Sequence, residues 1–186
     1  MAFLTRAQAL QTSRTSFATK SLAESAMKKV AAAPLTQRYD IFLSHAFEDA
    51  ELITGVKILI ERQGLTVYVD WIEDSQADRG NVTAKTADLL RERMKHCNFL
   101  VFATSKASPQ SKWMPWELGY FDGLHPNQVG ILPIVETQGG AFSGQEYIGL
   151  YEVWQLIEFK SEGTRFGRHT GPGKGETLNQ RASIRR

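Results

Sequence analysis

Cysteine is nearly absent from this 186-residue chain: Cys97 stands alone, which excludes an internal disulfide framework and a thiolate zinc cluster. That usage fits a reducing compartment, and the expected location is the cytoplasm. Long apolar runs are missing too. None approaches the roughly 20 residues of a membrane span, and the first residues lack the continuous apolar stretch of a secretory signal, so no membrane partner is expected. The middle of the chain also lacks a basic surplus. Residues 1–38 carry six basic residues against Glu24, residues 39–160 carry 10 against 17 acidic ones, and residues 161–186 carry six against two. An acidic body argues against a nucleic-acid partner, because phosphate neutralisation needs a basic face on the folded surface. What is present is ordinary globular composition, 42% hydrophobic and 23% charged, enough for one domain with some residues left for extensions.

Three stretches differ in texture. Residues 1–38 are rich in Ala, Ser and Thr and read as a basic helical extension and linker, with Leu4, Ala7, Leu10, Phe17, Leu22, Met27 and Val30 as a loose apolar face. A rival reading is an organellar transit peptide, which Glu24 and the Lys28-Lys29 pair fit poorly. Residues 39–160 alternate short apolar runs with helical stretches, the signature of βα units on a parallel sheet. The expected strands are 39–46, 65–71, 98–105, 130–136 and 153–159. The expected helices are 48–64, stopped by Gly64, 84–97, N-capped by Thr83, and 108–125, where Pro115 is tolerated only in the first turn. Residues 161–186 are Gly-rich and basic and read as a flexible tail. GPGKGET there lacks the P-loop spacing.

In an open parallel sheet, ligands gather beyond the carboxyl ends of the strands where the strand order reverses. That rule nominates Ser44, His45 and Ala46, then Asp70 and Trp71, then Thr104 and Ser105, then Val135 and Glu136. The helix after the third strand adds Trp113, Trp116 and Glu117, a concentration of indoles beside an acid.

Several of these residues form a recognisable set. YDIFLSHAFED, the VDW that closes the second strand, the polar loop after it and SKWMPWELG, with WMPWE fitting a WxxxE pattern, together resemble a Toll/interleukin-1 receptor (TIR) domain over residues 39–160. The resemblance is closest to stand-alone bacterial members. It implies a flavodoxin-like three-layer α/β sandwich with a five-stranded parallel sheet in the order 2-1-3-4-5. It also implies an enzyme that cleaves the nicotinamide–ribose bond of NAD+, with Glu117 as the catalytic carboxylate. A carboxylate suits that chemistry, because loss of nicotinamide builds positive charge on the ribose, as in glycoside cleavage. Water attack gives ADP-ribose, and internal capture gives a cyclic ADP-ribose-type product. The implied substrate contacts are Ser44, His45 and Phe47 after the first strand, Asp70, Trp71 and Arg79 around the second, and Trp113, one helical turn from Glu117 on the same face. No metal and no cofactor are expected, NAD+ being the substrate. The implied partners are further copies of the domain and a separate effector that senses the product, in bacterial antiviral defence.

Structural roles compete with each of these. Glu117 is also readable as a surface glutamate, Trp113 and Trp116 as packing residues, and His45 as a local backbone partner. His96 and Cys97 are too few for a metal site. Asp40 lies at the wrong end of its strand for a phospho-acceptor. A non-catalytic TIR–TIR interaction module is the alternative function, and a nucleoside-modifying transferase a third.

Overall fold

The computed structural model describes residues 2–18, 33–74, 83–142, 144–160, 163–171 and 174–183. In chain order its elements are β1 (Leu4–Thr5), α1 (Arg6–Ala18), β2 (Tyr39–Ser44), α2 (Ala50–Glu61), β3 (Val67–Tyr68), α3 (Asp70–Glu73), α4 (Ala84–Lys95) and β4 (Cys97–Thr104). They continue with α5 (Trp113–Leu124), β5 (Val129–Val135), β6 (Glu152–Val153), β7 (Gln155–Phe159), β8 (Gly163–Gly171), β9 (Lys174–Thr177) and α6 (Leu178–Ser183).

The central strands are parallel and covered on both faces, so they read as unbroken apolar runs. Alternate residues sort to the two sides. Ile41, Leu43, Phe99 and Val101 join Leu52, Val56 and Ile60 of α2 in one core, while Phe42, Leu100 and Phe102 join Leu90, Met94, Leu118 and Phe121 of α4 and α5 in the other. The strand order is β3-β2-β4-β5, the expected 2-1-3-4 of a flavodoxin-like sheet. Local signals behave as the residues dictate. Thr83 Oγ1 accepts from Thr86 N–H at 3.1 Å, and Pro115 falls in the first turn of α5; α2 ends at Glu61, earlier than Gly64, which closes the turn after it at φ 86°.

The fifth position differs from expectation. It is shared by two short strands, β6 beside Gly130 and Ile131 and β1 beside Ile134 and Val135, all parallel to β5. The expected strand 153–159 breaks at Trp154. Its indole lies over Gly130, where a β-carbon would sit 2.2 Å from the ring, and the chain then turns away as β7.

Two further expectations are corrected. The described part of the tail is not a flexible coil: β7, β8 and β9 form an antiparallel sheet that crosses the expected boundary at 160, and α6 follows it. Phe166, Leu178 and Ala182 from this segment are buried in the α2-side core, and Arg168 pairs with Glu176 and Glu152, so few apolar residues suffice to anchor it. In the N-terminal extension, Ala9 and Ser13 are buried and Ala7 is exposed. Leu4 and Leu10 of the expected face do meet the core, and beside them the helices pack closely: a β-carbon at Gly55 of α2 would meet the Ala9 carbonyl at 1.9 Å, so a small residue takes the place expected of Ala7. Of the other positions of the expected face, the side chain of Phe17 and residues Leu22, Met27 and Val30 lie outside what is described. Arg6 meets Asp49 at 3.3 Å and Arg14 meets Glu51 at 2.9 Å, so basic residues of α1 contact the acidic body of the same chain. Among the described residues, no helix is long and apolar enough to cross a membrane.

Candidate functional site

The strand order reverses between β2 and β4, and the candidate residues converge there. Ser44 ends β2 and pairs in register with Phe102 of β4, while α5 returns over the same end of the sheet. Its fifth residue is Glu117. Ser44 Oγ–H donates to Glu117 Oε2 at 2.6 Å across 73 residues of sequence. Glu117 has no exposed surface, nor has Ser44. The acid was expected to face an open crevice; it is instead enclosed, and clefts at neighbouring strand ends are lined by other residues. One of about 250 Å³ lies among Phe102, Thr104, Ser105, Ser108 and Gln145, and another of about 270 Å³ lies among Thr104, Ser105, Lys106, Glu136 and Phe142.

His45 follows Ser44 and is fully buried. Trp71 Nε1–H donates to His45 Nε2 at 3.1 Å, which makes that nitrogen an acceptor; the proton is then on Nδ1, 2.9 Å from the Leu43 carbonyl it donates to. The ring is thus a neutral bridge from the β2 backbone to Trp71. The local backbone bond weighed for this histidine is present, and the contact to Trp71 stands beside it. Asp70, 2% exposed, has Oδ1 3.8 Å from His45 Nε2.

Helical spacing made Trp113 the ligand candidate and Trp116 the packing residue; both indoles pack. Trp113, placed as the ligand contact, is 5% exposed and packs edge-to-face on Trp116 at 5.5 Å. Trp116, placed as the packing residue, is half-buried, stacks on Tyr120 at 5.8 Å and carries the Arg91 guanidinium 5.3 Å over its ring. Trp113 is drawn inward by the α5-side core, which leaves it little surface for a substrate. Phe47 is 59% exposed at the rim and Trp71 is half-buried. Arg79 lies outside the described residues.

Two polar networks were not anticipated. Asp49, in the 3-10 turn after β2, accepts a hydrogen bond from Ser105 Oγ at the end of β4 and pairs with Arg6, so it spans the switch point and ties α1 to it. An acid two residues after Phe47 in SHAFED was the available signal. The second network anchors the segment that leaves β3. Arg93 is wholly buried; its Nε and Nη2 each donate to Asp74 at 2.7 Å, and Nη1 and Nη2 donate to the carbonyls of Pro34 and Ala33 at 2.6 Å. Tyr68 O–H donates to the same carboxylate at 2.8 Å, and burial followed by the Asp74 charge pushes its ionisation far above the ordinary range. This fork fixes residue 74, where the polar loop begins.

Asp40 accepts from Thr66 N–H at 2.8 Å and from Thr66 Oγ1 at 2.9 Å, a structural role at the start of its strand. Cys97 is buried, and that burial pushes its thiol strongly up, which disfavours the thiolate a nucleophile needs. Among the described residues there is no group of three or more metal-ligating side chains.

No protein-family model matches the chain. A Bacillus cereus (strain MSX-D12) protein named as a probable 3' cyclic ADP-D-ribose synthase, ThsB', is 56% identical over 114 residues, covering 61% of this chain and 58% of the relative. A Cytobacillus dafuensis protein provisionally named cyclic ADP-D-ribose synthase TIR2 is 30% identical over 83 residues, covering 44% of this chain and 22% of the relative. The chain thus matches little more than half, and about a fifth, of the lengths of these relatives. Among solved structures, the TIR domain of the Toll-related receptor TRR-2 of Hydra magnipapillata aligns at a TM-score of 0.45 and 20% identity, covering 62% of this chain and 84% of that domain.

Proposed function

We propose, for a chain that belongs to the bacterial TIR-domain proteins, that it consumes NAD+ by breaking the nicotinamide–ribose bond. The observation that carries this reading is the Ser44–Glu117 pair at the point where the sheet order reverses. Nicotinamide leaves with the bonding electrons of the C–N bond and becomes neutral, while positive charge spreads over the ribose. Glu117 stabilises that charge from close range, in a shell where few water dipoles screen it. A ribose hydroxyl replaces the Ser44 hydroxyl as the donor to Oε2 and so fixes the sugar. The ADP-ribosyl cation is then captured by water or by an atom of the adenine or the terminal ribose, with loss of one proton in either case. The names of both relatives favour internal capture and a cyclic ADP-ribose product. Phe47 and Trp71 offer ring faces, and exposed Lys106 at the end of β4 is placed to meet the pyrophosphate.

Because Glu117 is enclosed, substrate reaches it only in a state where the β2 end and α5 part. Self-association of the domain supplies such a state in this reading, and a separate effector responds to the product. Incubating the protein with NAD+ at rising protein concentration tests the reading, with nicotinamide release and product mass followed together. Release that climbs steeply with concentration, with a product one water lighter than ADP-ribose, is expected; no release from protein shown to be assembled overturns it.

The enclosure of Glu117 also favours a second reading, an interaction module whose acid is a structural anchor for Ser44. Glu117→Ala separates the two: an interaction module keeps self-association and its cellular effect, whereas an enzyme keeps only the first.

A further inference from the structure

We propose that α1 is a latch on the Glu117 crevice, holding it shut through the chain Arg6–Asp49–Ser105; what the crevice does when open rests on the NAD+ reading above. Glu117 has no exposed surface, so substrate cannot enter the crevice in this arrangement. Contacts that join the parts which must separate therefore stabilise the closed state, and weakening them raises the population of the open one. Those parts are the turn after β2 and the segment that leads from β4 into α5. Asp49 joins them. It ends the 3-10 turn Phe47–Asp49, and its Oδ2 accepts from Ser105 Oγ–H, just past the last residue of β4.

The link is organised on both sides. Asp49 occupies the N-cap position of α2, yet its side chain makes no capping bond there and reaches across the switch point instead. Ser105 N–H donates to Ser108 Oγ at 2.8 Å, and Ser105 Oγ accepts from Ala107 N–H at 3.1 Å. Holding the Ser105 hydroxyl therefore holds the first turn of the segment that enters α5.

Arg6 supplies the charge that keeps Asp49 in place, with Nη1 3.3 Å from Asp49 Oδ1. Its own position is fixed by the N-terminal segment. Thr5 pairs in parallel register with Val135 of β5, so Arg6 follows a strand whose carboxyl end lies at the same end of the sheet as Ser44 and Thr104. Thr5 and Gln8 cap α1 reciprocally: Thr5 Oγ1 accepts from Gln8 N–H at 3.2 Å, and Gln8 Oε1 accepts from Thr5 N–H at 2.9 Å. Buried Leu4 and the contact of Ala9 with Gly55 anchor the helix to the body. Without the guanidinium, the Asp49 carboxylate keeps only the Ser105 hydroxyl among the described residues, and a nearly buried anion so placed is driven to turn toward water. That movement takes the acceptor from Ser105 and frees the turn before α5.

The test follows nicotinamide release from NAD+ at protein concentrations below the steep rise, together with amide exchange at Ser105 and Ala107 in the full chain. Arg6 is 40% exposed, so Arg6→Met folds. It is expected to raise release about two- to fivefold, the effect of losing one partly exposed ion pair, and to speed exchange at both amides by a similar factor. Asp49→Asn keeps an oxygen for Ser105 and loses the charge; it should give the same gain, and combining it with Arg6→Met should add nothing. Glu117→Gln in the Arg6→Met background should abolish the gain. Arg14→Met removes the other ion pair from α1 to α2, with Glu51, and should change neither release nor exchange. Release that stays the same or falls in Arg6→Met, unchanged exchange at both amides, an equal gain in Arg14→Met, or a gain that survives Glu117→Gln overturns the latch. If the unaltered protein releases no nicotinamide at any concentration, the NAD+ reading falls instead, and the exchange arm alone decides whether Arg6 holds the turn.

Discussion

Replacing Arg93 by Met tests whether the fork on Asp74 is the main anchor of the segment that enters the polar loop. The substitution keeps the length of the side chain and removes donors to both Asp74 oxygens and to the Ala33 and Pro34 carbonyls. Asp74, 5% exposed, would keep only the Tyr68 hydroxyl among the partners described here. A buried charge stripped of its partner costs about 3–5 kcal/mol, a large share of the stability of a domain this size. Removing both charges, as Arg93→Met with Asp74→Leu, relieves most of that. The remaining penalty is one tyrosine hydroxyl without its acceptor and two carbonyls without donors, about 1–3 kcal/mol where they stay dry. The double variant should therefore be more stable than Arg93→Met alone, although it carries more changes. Urea unfolding with unchanged slopes reads this directly from the midpoints. A loss below about 1 kcal/mol in Arg93→Met, or a double variant equal to the sum of the singles, refutes the reasoning.

Gly55→Val should undock α1, because the new side chain meets the Ala9 carbonyl; the expected cost is about 1–3 kcal/mol, with faster proteolysis before residue 33, and an unchanged cleavage pattern would contradict it. Stability should fall above about pH 9, by about 1.4 kcal/mol per pH unit for each ionising group. Cys97 and Tyr68 are held protonated in the fold and ionise in the unfolded chain, so the unfolded state binds fewer protons there and gains as pH rises; a flat midpoint from pH 8 to about 11 would refute this. Trp71→Phe removes the donor to His45 Nε2 while keeping an aromatic face, and should raise KM for NAD+ more than it lowers kcat. Lys106→Ala should raise KM several-fold with kcat nearly unchanged, and an effect confined to kcat would count against its placement at the pyrophosphate.

The sheet was legible because its central strands are buried on both faces, so β2, β4 and β5 announce themselves as apolar runs without any partner being known. The C-terminal hairpin was not. In GTRFGRHTG and KGET only Phe166 is a large apolar residue, and the strands are held by pairing with β7 and by the Arg168 ion pairs, which composition does not reveal. The closest contact of α1 escaped for a related reason: Ala9 packs by smallness against Gly55, and smallness leaves no hydrophobic period. At the site, strand ends and helix spacing brought Ser44 and Glu117 to one place. Burial is a property of the whole fold, so neither the enclosure of Glu117 nor the inward turn of Trp113 could be read from spacing, and Asp49 looked like one more acid in a turn.

The most direct measurement compares nicotinamide release from NAD+ by the unaltered protein and by Glu117→Gln, matched for folding and for oligomeric state. The amide keeps the shape of the side chain and an oxygen for the Ser44 hydroxyl, and it removes the negative charge. Loss of that charge should lower kcat by about 100-fold or more, about 2.7 kcal/mol of transition-state stabilisation, with assembly intact. Turnover by the glutamine variant at the rate of the unaltered protein would show that the bond is broken without the carboxylate.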